Sequence, residues 1–155
     1  MPIAPTLMKY LDQTTTYDML LHEPTVSSMR TAEACNISGD CLAKGVLLRR
    51  DGTYLLAVLP ATHRIDLPEL RMEIGEDVDM ASESSIDGLF WDCAHGAVPP
   101  IGQCYGVDVI VDETIDRQPE VYFEAGDHTT LVHVSQSQFA QLTANARHDR
   151  FSFHV

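Results

Sequence analysis

Two apolar runs, Leu42-Ala43-Lys44-Gly45-Val46-Leu47-Leu48 and Tyr54-Leu55-Leu56-Ala57-Val58-Leu59, flank the dipeptide Asp51-Gly52. Asp-Gly between apolar segments is a strong hairpin signal, because glycine supplies the positive φ that a tight reversal needs. The pair predicts two antiparallel strands at the centre of a sheet.

The remaining segments have to pack on that hairpin. Leu7, Met8, Tyr10 and Leu11 recur at helical spacing after Pro5-Thr6, and Thr14-Thr15-Thr16 ends that helix. Tyr17 to Leu21 reads as a short strand, and Pro24 precedes a second helix that turns Met29, Ala32 and Cys35 inward. Asp66-Leu67-Pro68-Glu69 has the pattern of a capped helix start, with Gly75 near its end. Val78 to Met80 predicts a short strand, Ser82 to Phe90 a capped segment, and Val107 to Val111 a buried strand. Glu120 to Glu124 and Thr130 to Val134 form another strand pair, and Ser135 with Gln138 makes a capping box for a last helix burying Phe139 and Leu142. Hairpins mixed with short helices argue against a doubly wound parallel sheet. The expected architecture is α/β (α+β): a mixed, mostly antiparallel, curled sheet or barrel-like core with short helices around it, formed by residues 1–155 as one domain.

Between the capped segment and the buried strand lies Gly96-Ala97-Val98-Pro99-Pro100, continuing to Gly106. Three glycines and two prolines in eleven residues cannot continue a helix or sit in a central strand. Pro99 and Pro100 fix their own φ, and Gly96 has no Cβ to keep a ligand from its amide. A loop of this kind is either a rigid connection or a set of fixed N–H donors suited to an oxyanion or a phosphate.

Composition narrows the function classes. A formal net charge of -13, with no basic cluster larger than Arg49-Arg50, opposes autonomous binding to nucleic acid and gives no reason to expect a DNA ligand. There are two lysines, Lys9 and Lys44, against eight arginines, which makes the strand position of Lys44 notable. No apolar run reaches the roughly 20 residues of a membrane span, and no signal core opens the chain, so a cytoplasmic location without membrane partners is expected. Cys35, Cys41, Cys93 and Cys104 lie apart with no C-x-x-C spacing, predicting reduced and mostly buried thiols. Scattered histidines and carboxylates predict no metal and no cofactor. Asp112-Glu113 is not a carboxylate dyad, since neighbours in extended chain face opposite ways.

The ordered set of Ala43-Lys44, Leu56 to Pro60, Asp66 to Leu70, the G-x-x-x-P loop Gly96 to Pro100 with Ile101-Gly102, Val111-Asp112-Glu113 and Val121 to Gly126 resembles the YbaK/EbsC family of aminoacyl-tRNA deacylases. His22 before Pro24 fits that family's early strand and histidine. The resemblance implies hydrolysis of the ester joining a wrong amino acid to the terminal adenosine of a tRNA. Under it, the amides of Gly96, Ala97, Val98 and the loop closed by Pro100 cradle the oxyanion. Lys44 offers a cation to the adenosine's phosphate or ribose hydroxyls. Leu20, His22, Gly45, Gly126 and His128 shape or contact the substrate, with His128 able to hydrogen-bond the ribose or position water. A relative acting on cysteine carried by proline tRNA has tyrosine at Leu20 and a carboxylate along Leu131-Val132, and many members have Asn or Thr at Gly45. These departures turn the expectation toward proline tRNA carrying another small, uncharged amino acid. The expected partner is the acceptor end of aminoacyl-tRNA, delivered by prolyl-tRNA synthetase or an elongation factor. A binding module of the same fold without turnover is the alternative. A generic esterase is disfavoured, as there is neither G-x-S-x-G nor a Ser/His/Asp set.

Overall fold

The computed structural model describes residues 3–25 and 27–155. Helix α1 (Pro5–Thr14) begins at a proline, whose missing N–H is harmless at a first helical position, and buries Leu7 and Leu11. Strand β1 (Asp18–Leu21) leads to α2 (Ser28–Cys35), where the Ser27 side chain accepts from Arg30 N–H and Asn36 ends the helix in the left-handed region. Thr31 and Ala32 are the buried side of α2. Met29, expected inward, is 40% exposed: it sits at the edge of that stripe, against Gly39.

Strands β2 (Ala43–Arg50) and β3 (Thr53–Pro60) form the expected hairpin, in a register that sets Gly45 opposite Val58 and Arg50 opposite Thr53. Then come β4 (His63–Ile65), α3 (Leu67–Ile74), β5 (Val78–Met80), α4 (Glu83–Leu89), a 3₁₀ turn (Gln103–Tyr105), β6 (Asp108–Asp112) and α5 (Glu113–Asp116). The chain continues as β7 (Glu120–Glu124), β8 (Thr130–Ser135), α6 (Gln136–Leu142), β9 (Arg147–Asp149) and β10 (Ser152–His154). Helix starts follow the sequence: Asp66 accepts from Glu69 N–H at α3, and Ser135 and Gln138 complete a reciprocal capping box at α6.

A five-stranded sheet has the order β5-β2-β3-β6-β9, a three-stranded sheet the order β1-β8-β7, and β10 pairs with β4. Strand β6 joins β3 in parallel and β9 joins β6 in parallel, while the other pairings are antiparallel. The architecture is therefore mixed and mostly antiparallel, and its separate sheets do not close into a barrel.

Alternation along β2 decides which residues meet. Ala43 and Leu47, with Leu56 and Val58 opposite, enter the larger core shared with Leu7, Phe123, Val132 and Phe139. Val46 and Leu48, with Leu55 and Leu59 opposite, enter a second core beneath Leu70 of α3. Gly45 thus faces the space between the two larger sheets, and Lys44 belongs to the other face. No helix among the described residues is long and apolar enough to cross a membrane.

Candidate functional site

The glycine-proline loop is held from several sides. Asp92 accepts from Thr6 N–H at 2.8 Å and from the Tyr105 hydroxyl at 2.8 Å, so it ties α1 to the residues that bracket the loop. Burial alone would raise the Asp92 carboxyl, but these donors bring it below the ordinary carboxylate value. Ala94 N–H donates to Gly126 O at 2.7 Å, and His128 donates Nε2–H to the carbonyl of His95. Ala97, Pro99, Pro100 and Ile101 are buried. Gly96 has φ 82°, a left-handed conformation that explains glycine there more directly than ligand access does.

The N–H groups of this loop divide sharply. Ala97 N–H is spent on Ala94 O at 3.0 Å, and the two prolines have none. Among the described residues, Gly96 and Val98 keep backbone N–H groups without a protein acceptor. The expected row of donors is therefore corrected to two, because the loop uses Ala97 to hold its own shape.

Both of those residues line a cavity of about 240 Å³ whose walls also include Ser28, Gly45, Ile86 and Glu124. A Cβ on Gly45 would lie 3.1 Å from Pro99 O and 3.2 Å from Pro100 Cα, so the loop is seated on β2 at the one position without a side chain. On the same cavity wall, burial holds the Glu124 carboxyl above the ordinary carboxylate range, with His22 and His128 pulling it partly back. His22 donates Nδ1–H to Glu23 O at 2.7 Å, and its Nε2 lies 3.6 Å from Glu124 Oε1.

A sequence profile of the aminoacyl-tRNA editing domain matches residues 22–142. The chain belongs to the aminoacyl-tRNA editing domain family. No curated protein matches it in sequence. A solved structure provisionally described as a trans-editing enzyme for prolyl-tRNA synthetase is similar at TM-score 0.86 and 19% identity, over 99% of this chain and 98% of that one. A hypothetical protein, APE2540, is similar at TM-score 0.84 and 18% identity, over 96% of this chain and 99% of that one. A protein from Marinobacter aquaeolei VT8, provisionally described as acting in signal transduction, is similar at TM-score 0.75 and 22% identity. There the match covers 98% of this chain and 31% of the other. At these identities the likeness is one of fold.

Within this editing domain the expected residues separate into groups. Gly45, Gly96 and Val98 share the cavity with part of Lys44, while His128 stands behind Gly96, its ring about 3.5 Å from where a Cβ would be. The Lys44 ammonium turns away, toward Ala61 O at 3.5 Å, into a neighbouring cavity of about 340 Å³ lined also by Met29, Thr62, His63, Arg64 and His154. Burial and the nearby Arg64 lower the Lys44 pKa. Among the described residues no carboxylate forms an ion pair with Lys44 or Arg64.

Two expected contacts move elsewhere. Leu20 pairs with Leu131 and packs in an apolar cluster with Ala32, Leu42 and Ala61, outside the cavity wall. Gly126 is pressed against α1, where a Cβ would stand 2.9 Å from Ala4 Cβ. Its place is in packing, not at the wall. Glu124 and Ser28 were not singled out by sequence reasoning. Glu124 was visible only as one letter of the stretch Val121 to Gly126, and alternation along β7, with Val121 and Phe123 buried, leaves it on the other face. The four cysteines are free and partly buried, and burial pushes the Cys93 thiol up to about 11 and Cys104 up to about 12. Among the described residues no cluster of three His, Cys, Asp or Glu side chains is arranged to hold a metal.

Proposed function

We propose that this chain is a hydrolase of mischarged aminoacyl-tRNA, acting on proline tRNA that carries a small wrong amino acid. The observation that carries the reading is the pairing of two unspent backbone donors, Gly96 and Val98 N–H, with a cavity of about 240 Å³. Ligand pockets for whole small molecules run to roughly 300–1,000 Å³, so this one suits an acyl group and leaves the adenosine outside. Fixed donors already aimed where negative charge develops lower the barrier without reorganising, and one such donor is worth roughly 100-fold in rate. The attacking group would be water or a substrate hydroxyl, since no lining residue has the base partner that an activated nucleophile requires.

Lys44 serves the same reading from the next cavity. Its ammonium and the Arg64 guanidinium, which have no carboxylate partner among the described residues, suit the phosphate that follows the terminal adenosine. A small side chain is supported by the loop closing over Gly45, where a Cβ would already meet the Pro99-Pro100 backbone, so that little room is left at this end of the cavity. Recruitment by prolyl-tRNA synthetase or an elongation factor would offset the repulsion of a chain at -13 from the rest of the tRNA.

The test is a deacylation panel in which the purified protein meets proline tRNA charged in turn with alanine, 2-aminobutyrate, serine, threonine, cysteine and proline. Rapid loss of alanine and 2-aminobutyrate with proline spared is expected. Equal rates for all, or no turnover with any, would overturn the assignment.

A further inference from the structure

Glu124 stands at the end of β7 on the wall of the cavity that holds Gly96 and Val98, and its two oxygens are treated unequally. Oε1 has a weak contact, 3.4 Å, from the Thr31 hydroxyl. That hydroxyl has one proton and is also 3.1 Å from Ser27 O and 2.5 Å from the Thr25 hydroxyl. Oε2 is buried and has no hydrogen-bond partner. The His22 side chain is 1% exposed, and its Nε2 lies 3.6 Å from Glu124 Oε1, beyond hydrogen-bond distance. Among the described residues a buried carboxylate oxygen thus lacks a donor, an arrangement folded proteins avoid unless another group completes it.

Only certain ligands complete it. The missing group must bring N–H donors and positive charge, and it must lie close to whatever the Gly96 and Val98 amides hold. Glu124 lines the same small cavity, of about 240 Å³, as Gly96 and Val98. The α-ammonium of an aminoacyl ester is attached to the atom next to that carbonyl, so it meets this requirement whatever the side chain is. We infer that Glu124 binds the α-ammonium of the substrate, with His22 behind it as a positioning residue. The inference rests on the deacylase reading and adds to it a second selection. Gly45 and the loop measure the side chain, while Glu124 demands a free amine, so formylated, acetylated and peptidyl esters, whose nitrogen is an uncharged amide, are refused.

The experiment compares two esters of equal size on the same tRNA, alanyl and lactyl, the second having a hydroxyl in place of the ammonium. In parallel, calorimetry measures binding of the non-hydrolysable 3′-amides of 3′-amino-3′-deoxyadenosine carrying alanine or lactic acid. The wild type should prefer the ammonium-bearing member of each pair by at least about tenfold, the scale of a charge-assisted contact. Glu124→Gln should reduce that preference to about threefold or less while still hydrolysing the lactyl ester, and Glu124→Asp should keep its direction. If both esters are cleaved at equal rates by the wild type, the role of Glu124 is wrong and the deacylase reading stands. If neither ester is cleaved but the alanyl amide binds at least about tenfold tighter, ammonium recognition stands and the deacylase reading falls. A preference that survives intact in folded Glu124→Gln also overturns the inference.

Discussion

Asp112 and Glu124 are both carboxylates withdrawn from water at the ends of strands, β6 and β7, and the fold treats them oppositely. Asp112 is fully buried and accepts four hydrogen bonds, from Thr114 N–H, the Thr114 hydroxyl, Phe151 N–H and the Ser152 hydroxyl. Burial by itself would raise its carboxyl, and these donors bring it below the ordinary value instead. Glu124 has one weak donor and an orphaned oxygen, and burial keeps its carboxyl high. The same division runs through the loop, where Ala97 N–H is spent and Gly96 and Val98 N–H are not. It runs through the cations too: Arg50 is paired with Glu76 and Asp108, and Lys44 with no carboxylate among the described residues. Polar groups satisfied within the chain hold the fold, and the open ones at Gly96, Val98, Glu124 and Lys44 lie on two cavities that share Lys44 in their walls.

The comparison breaks most visibly in stability. Asp112→Ala removes acceptors from four donors, two of them tying down Phe151 and the first residue of β10, and should cost about 3 kcal/mol or more. Glu124→Gln should stay within about 1 kcal/mol of the wild type, because it removes an ill-compensated charge. Their pH dependences should have opposite signs. A carboxyl held low when folded stabilises at pH above its ordinary range, and that stability is lost as pH falls through the lower folded value. A carboxyl held high stabilises below the ordinary range and loses that contribution as pH rises through its folded value. Urea unfolding from acid to neutral pH should therefore flatten on the acid side in Asp112→Asn and on the other side in Glu124→Gln. Identical profiles for the two variants would remove the distinction between them.

Next in size is Gly96→Val. Its φ of 82° asks an L side chain for a conformation costing roughly 1–2 kcal/mol, and any relaxation re-aims the Gly96 and Val98 amides. Deacylation should fall roughly 100-fold, the scale of one lost oxyanion donor, with the melting temperature lowered only in proportion to that strain. Activity that merely tracks the folded fraction would make the loop a connection and nothing more.

What the sequence discloses follows the same line. Local chemistry was readable: Asp51-Gly52 places the hairpin, and Asp66, Ser82 and Ser135 start helices where expected. The three-residue strands β4, β9 and β10 have no pattern of their own and exist because partners fix them. Phe151, for example, is held by Asp112 from one side and by Asp66 N–H from the other. The parallel pairings of β6 with β3 and β9 follow from that packing, and no turn residue announces them. Whether a loop N–H is free or spent is likewise decided by a tertiary contact, as at Ala97. Lys44 is a different matter: alternation along β2 separates it from Gly45 and sends its ammonium toward a different cavity, whereas Asp112 and Glu113, expected to alternate along a strand, are parted because Glu113 opens α5.

That separation gives the finest test. If the ammonium of Lys44 meets backbone phosphate while Gly45 bounds the acyl group, Lys44→Ala should lower kcat/KM about tenfold or more, chiefly through KM, with little change in melting temperature. A loss confined to kcat would place Lys44 at the reacting ester instead. The accompanying salt dependence should be shallow. Each neutralised phosphate adds to the slope of log affinity against log salt, and the cations of this cavity without an ion pair among the described residues, Lys44 and Arg64, allow a footprint of about three contacts or fewer. Titrating uncharged proline tRNA at several salt concentrations measures that slope, and Lys44→Ala should reduce it by about one contact. A steep slope with sub-micromolar affinity at physiological salt, unchanged in Lys44→Ala, would mean that the tRNA is held by a surface remote from both cavities. The open groups around them would then have to be explained without a phosphate.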